Sequence, residues 1–158
     1  MTALPWRDNT GPSMEFLTVS AILSAVETVT PKIPSTIDAA ALCKMADRGQ
    51  IKGGLVDGPL AFDNAIDEEA AKTKGIISPV AGRADILIAP NLEAGNMLAK
   101  QLTFMANAEA AGIVIGARVP IILTSRADSA RTRLASAALA VLFAAELRRR
   151  AALLKAAE

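Results

Sequence analysis

Apolar positions along this chain follow two alternating rhythms. Short β-branched runs give way to longer Ala-rich segments with helical spacing, the signature of βα units around a largely parallel sheet. VSAILSAV at 19–26 reads as the first strand. Pro31 and Pro34 then break the chain, and Ser35 and Thr36 can cap a helix that begins near Ile37, carries Asp38 in its first turn and stops at Gly49. GGLVDGPLAF at 53–62 reads as a second strand ending in a Gly-Pro turn. Asp67, Glu68 and Glu69 open a short helix that ends at Gly75, and ADILIAP at 84–90 is a third strand bounded by Gly82 and Pro90. Helix 92–107 follows Asn91, with Leu98, Leu102 and Met105 at helical spacing.

Two more β-rich pieces, AGIVIGA at 111–117 and VPIILTS at 119–125, are separated only by Arg118, so their connection is tight and antiparallel or edge pairing is expected. The five strands are expected to form one sheet. A segment free of Pro and Gly from Ala127 onward completes the chain as a long helix, with Leu134, Leu142 and Phe143 on its inner side. Arg148 to Arg150 sit where cations complement the negative helix end. Residues 1–19 lack periodicity and read as an irregular leader.

Composition narrows the chemistry. With 158 residues, one compact unit is the default. Apolar residues make up 52% of the chain, yet no stretch reaches the ~18 uninterrupted apolar residues of a membrane span, so the apolar mass is assigned to a core. A formal charge of +1 provides no overall field toward nucleic acid or an anionic membrane, and any anion site must be local. The opening residues do not read as a signal peptide. The single Cys43 cannot form an intramolecular disulfide and reads as a small buried apolar residue in a reducing, cytoplasmic compartment. Histidine is absent, which removes Ser-His and Cys-His catalysis and makes a transition-metal site improbable. Chemistry must come from Asp, Glu, Arg, Lys, Ser and the backbone.

In open α/β sheets, ligands bind where strand ends meet helix amino termini. Polar residues cluster at such places here: Ser24, Glu27 and Thr28; Asp57, Asp63 and Asn64; Asn91, Glu93 and Asn96; and Thr124, Ser125, Arg126 and Asp128. The last group, LTSRADS, sets two hydroxyls and a guanidinium where a long helix starts, and could hold phosphate bidentately. The same residues also fit a plain capping turn with a solvated arginine. Asp57 equally suits a backbone-bonding turn, and Glu93 is favoured in a first helical turn by the dipole alone. Gly95, inside that turn, costs about 1 kcal/mol against Ala, which close approach of a ligand or strand would explain.

The runs SAILSAVETVTPKIPSTIDAAALCKMADRG, GGLVDGPLAFDNAI, GIISPVAGRADILIAPNLEAGNMLAKQLTF and AGIVIGARVPIILTSRADS together resemble the phosphate acetyltransferase and phosphate butyryltransferase family, most closely its butyryl-type and hydratase-fused members. The resemblance covers residues 20 to about 145. It implies an α/β fold like that of isocitrate and isopropylmalate dehydrogenases, with a mostly parallel sheet flanked by helices and an active site between two domains. Residues 20–158 would be the carboxyl-terminal portion of such an enzyme, whose full members are about twice this length.

The implied reaction moves an acetyl or butyryl group between coenzyme A and inorganic phosphate, with coenzyme A as a substrate, no tightly bound cofactor and no metal. By resemblance, Ser125 and Arg126 form the family's serine-arginine pair, the arginine holding phosphate or acyl phosphate. Asp57, Asn64, Glu93, Gly95, Asn96 and Thr124 fall in or beside substrate-binding loops. Acetyl-type members place an acidic base further along the final helix. Here Arg131 and Thr132 stand in that stretch, which leaves Asp128 as the nearby acid. The alternatives are a truncated, catalytically inactive fragment that retains only coenzyme A binding or oligomer contacts and, last, a metal-dependent oxidative decarboxylase. Without the portion that should precede Ser20, the final helix is expected to expose an apolar face and drive self-association.

Overall fold

The computed structural model describes residues 18–156 of the chain, which divides into two compact units meeting within one helix after Asn96. The expected leader falls almost wholly on residues 1–17, outside the described residues.

The first unit is built on a parallel sheet. Strand β1 (Thr18–Leu23) lies between β2 (Gly54–Leu60) and β3 (Ile86–Ile88), both parallel to it. Val19, Ala21, Ile22 and Leu23 are all buried, as a central strand covered on both faces requires. Asp85 seats β3 by a reciprocal pair: Val19 N–H donates to its carboxylate at 3.0 Å, and its own N–H donates to the Val19 carbonyl at 2.8 Å.

Helix α1 (Pro34–Asp47) packs on β2 and β1. It begins three residues earlier than the capping pattern suggests, because Pro34 takes the first helical position and Ile33 precedes it without a side-chain cap. Thr36 instead ties the preceding loop. Its buried hydroxyl accepts from Thr30 N–H at 2.9 Å and lies 2.8 Å from the Thr30 and Ile33 carbonyls.

Strand β2 runs through Gly58 and Pro59 to Leu60 instead of turning there, and an additional short helix, α2 (Phe62–Ile66), follows. A Cβ on Gly58 would stand 2.7 Å from the Ile22 carbonyl oxygen, so the side chain is excluded by the close approach of β1. Helix α3 (Glu68–Thr73) is capped by Asp67, whose carboxylate accepts from Ala70 N–H at 2.8 Å. Leu60, Ala39, Ala65, Ala71 and Val80 complete the core of this unit. Helix α4 (Leu92–Met105) spans the boundary between the units and has no buried residue.

The second unit holds a separate antiparallel pair, β4 (Ile113–Val114) and β5 (Ile121–Ile122), against helix α5 (Ala130–Ala156). Tight antiparallel pairing was expected of these runs, but a single five-stranded sheet was not what formed. The described strands make one three-stranded and one two-stranded sheet. The inner side of α5 also differs from expectation. Leu134 and Leu142 are 73% and 68% exposed, whereas Ser136 and Ala140 are buried. Ser136 fixes that choice: its hydroxyl accepts from Gly112 N–H at 3.0 Å and donates to the Thr132 carbonyl at 2.8 Å, pinning the β4 segment to the helix.

Candidate functional site

In the first unit, the loops after β1 and β2 converge on Asn64. This residue is fully buried, and its Nδ2 donates to the Glu27 carboxylate. Lys74, just beyond α3, also donates to Glu27 and forms an ion pair with Asp63 at 3.0 Å. Asn64 reaches further through its backbone, where its carbonyl accepts from Gly82 N–H at 2.7 Å. One residue therefore ties the β1 loop, α2 and the loop before β3 together.

The Lys74 ammonium beside Glu27 holds that carboxyl below its ordinary value, and the same ammonium lowers Asp63. Lys74 is raised in turn, chiefly by Glu27 and then by Asp63. The Asn64 Oδ1 is buried without a hydrogen-bond partner among the described residues. Asn64 thus lies beneath the surface as an organising residue, and Glu27 and Lys74 are its partly exposed faces.

The other expected residues of this unit have local partners. One carboxylate oxygen of Asp57 accepts from Gly58 N–H at 2.8 Å. Cys43 donates to the Gly58 carbonyl at 3.4 Å, and burial, assisted by the negative charge of Asp57, pushes its thiol up to about 11. At the start of α4 the Asn91 carboxamide oxygen accepts from Ala94 N–H at 2.8 Å, with Glu93 exposed in the first turn. A Cβ on Gly95 would press to 3.3 Å on the Cβ of Ala89, so its small size answers to the adjoining strand end. Asn96 is exposed.

The second unit carries the SRADS turn between β5 and α5. Asp128 builds it: its carboxylate accepts from Ser125 N–H at 2.5 Å, and its own N–H donates to the Ser125 carbonyl at 3.2 Å. The Ser125 hydroxyl accepts from Ala127 N–H at 3.3 Å. Ser129 caps α5 by accepting from Thr132 N–H at 3.1 Å. Thr124 and Ser125 are half-buried and Arg126 is exposed. Among the described residues, the Arg126 guanidinium engages no partner, whereas Arg131 pairs with Glu109 at 2.6 Å. Arg133 binds the backbone of the turn, with Nε 3.3 Å from the Asp128 carbonyl and Nη2 at 3.2 and 3.4 Å from those of Ser125 and Arg126.

The family description "phosphate acetyl/butaryl transferase" matches residues 15–141. The chain belongs to the phosphate acetyl/butyryltransferase family. It is similar to the phosphate acetyltransferase of Rhizobium meliloti, with 76% identity over 132 residues that cover 84% of this chain and 41% of the relative. With the phosphate butyryltransferase of Clostridium acetobutylicum it shares 55% identity over 124 residues, 78% of this chain and 41% of the relative. A crystal structure of a branched-chain phosphotransacylase from Enterococcus faecalis V583 aligns with a TM-score of 0.68 at 36% identity, covering 79% of this chain and 45% of that one. The chain thus spans less than half the length of these acyltransferase relatives.

Sequence reasoning missed Lys74 and Arg133 as members of these two clusters. Lys74 carried no signal of its own, since only the fold brings it to Glu27, 47 residues away. Arg133 did carry one. A cation in the first turn of a helix opposes the dipole, so its presence called for compensating acceptors nearby.

Proposed function

We propose that the chain contributes to acyl transfer between coenzyme A and inorganic phosphate, with an acetyl, butyryl or similar short acyl group. The observation that carries this reading is the guanidinium of Arg126, which engages no partner among the described residues. It stands beside the partly exposed Ser125 at the start of α5, in a turn whose other charged groups are already committed. An uncommitted arginine next to a hydroxyl and a helix amino terminus suits a dianionic phosphate.

In the proposed reaction the coenzyme A sulfur attacks the acyl-phosphate carbonyl and the bond from carbonyl carbon to phosphate oxygen breaks. The proton lost by the thiol balances the one taken up by the departing phosphate. Arg126 would stabilise charge as phosphate leaves, and Ser125 would support the reacting group. Asp128 shapes the turn through Ser125 N–H. Thr124 flanks the turn, and Asp57, Glu93, Gly95 and Asn96 remain proposed substrate-loop positions. Asn64 would act by holding Glu27. The dehydrogenase-like two-domain arrangement, cytoplasmic location and self-association belong to the same proposal, supported by the family assignment and by the exposed apolar residues of α5.

Thiol release from acetyl-CoA and butyryl-CoA, measured with phosphate and then arsenate, tests this. Release that depends on the oxyanion, and that falls by about 100-fold in Arg126→Ala, is expected for loss of a charge-stabilising donor. Coenzyme A binding with no oxyanion-dependent release would instead favour a ligand-binding role without turnover.

A further inference from the structure

Negative charge gathers in the SRADS turn, even though Asp128 N–H already donates to the Ser125 carbonyl at 3.2 Å. Asp128 places a carboxylate on Ser125 N–H, and the carbonyls of Ser125, Arg126 and Asp128 add three partial negative charges around the same few atoms. A dianion approaching Ser125 and Arg126 would meet this accumulated negative charge in addition to the positive end of α5. One side chain answers all three carbonyls. Arg133 reaches back from the first turn of α5 with Nε on the Asp128 oxygen at 3.3 Å and Nη2 on the Ser125 and Arg126 oxygens at 3.2 and 3.4 Å.

We propose that Arg133 is a positioning residue for the oxyanion site, holding the main chain of Ser125 and Arg126 by a guanidinium fork and offsetting the charge of Asp128. The inference rests on the phosphate reading of Ser125 and Arg126. In this arrangement Nε and Nη2 of Arg133 are turned to backbone oxygens, so the contacts it makes are with the turn. Its planar set of fixed donors is what the geometry uses, and a lysine at the same place would return the charge without the fork. The neighbouring cations do not duplicate this role: Arg131 is drawn to Glu109, and Arg126 is the group being positioned.

The test measures inorganic phosphate and coenzyme A binding by calorimetry for the whole 158-residue chain, for Arg133→Met and for Arg133→Lys, with thermal midpoints recorded alongside. Phosphate affinity is expected to fall about tenfold or more in Arg133→Met and by less in Arg133→Lys, the loss of a charge-assisted contact being the cause. Coenzyme A affinity should hold in both. A merely structural role would lower the midpoint and both affinities together, and that pattern in Arg133→Lys overturns the proposal, as does unchanged phosphate affinity in Arg133→Met. If Arg133→Met fails to fold, Arg133→Lys decides alone: selective loss of phosphate affinity supports the proposal and parallel losses or none refute it. Absence of phosphate binding by the unsubstituted chain overturns the phosphate reading itself, and the inference falls with it.

Discussion

Asn64 is a fully buried polar residue of the first unit. Its amide is enclosed, its donor side is spent on Glu27, and its Oδ1 has no partner among the described residues. Asn64→Asp would set a second carboxylate against Glu27 from a fully buried position. A loss of about 3 kcal/mol in urea unfolding is expected, in line with an uncompensated buried charge, and a loss below half of that would show that the site opens to water. Cys43 allows a gentler check. With its thiol pushed up to about 11, labelling at pH 7.5 should be about 100-fold slower than that of a free thiol of ordinary pKa. Sequence reasoning found Asn64, Glu27 and Asp63 as polar residues after strands and assigned Cys43 an inert role. It gave Asn64 a place on the ligand. Burial is a property of the assembled loops, and DNA at 63–65 has no local pattern that distinguishes a surface amide from an enclosed one.

Among the elements, the parallel strands were legible from their β-branched runs and the longer helices from Ala-rich stretches set between turn residues, while their ends were not. Strands expected at 111–117 and 119–125 shrink to two paired residues each, since Gly116 turns at a φ of +94° and most of the surrounding apolar side chains are exposed. Helix α2 escaped notice because five residues are too few to show a period. The junction between α3 and the loop before β3 gives a sharp prediction. Gly82 has a φ of +78°, and a Cβ there would lie 2.6 Å from the Glu68 Cα, a backbone atom that cannot step aside. Gly82→Ala should therefore lose about 2 kcal/mol or more, combining left-handed strain with overpacking; equal thermal midpoints for the two proteins would contradict this geometry.

The bridge of Lys74 to Glu27 and Asp63 joins the same elements, and its pH dependence has a definite sign. Glu27 and Asp63 are lowered from 4.5 and 3.8, so their stabilisation is present above those values and disappears as pH falls through the lower folded ones. Lys74 is raised from 10.5, so its share is present below that value and disappears as pH rises past the higher folded one. Lys74→Met should accordingly flatten the acid limb of a stability curve below about pH 4.5 and the alkaline limb above about pH 10.5, the ordinary values of the groups. Identical limbs in both proteins would show that the bridge is absent in solution.

At the scale of the whole molecule, the described residues include no helix long and apolar enough to cross a membrane, yet the second unit keeps much apolar surface in the open. On α5, Leu134 and Val141 are seven residues apart and therefore share a stripe, with Leu142 beside them, all more than two-thirds exposed. The helix cannot bury this stripe on β4 and β5, because Ser136 and Ala140 already occupy that side. Exposed apolar area of this kind is driven to associate, and a net charge of +1 offers little repulsion to prevent it. The double substitution Leu134→Glu with Leu142→Lys leaves net charge unchanged and removes two apolar side chains from that surface. Light scattering should find the unsubstituted chain larger than its 16.4 kDa monomer and the double variant close to it. The contrast should persist in high salt, since burial of apolar surface is not screened as ion pairs are. A monomeric unsubstituted chain would mean that the stripe tolerates water, and an associated double variant would place the contact on another surface.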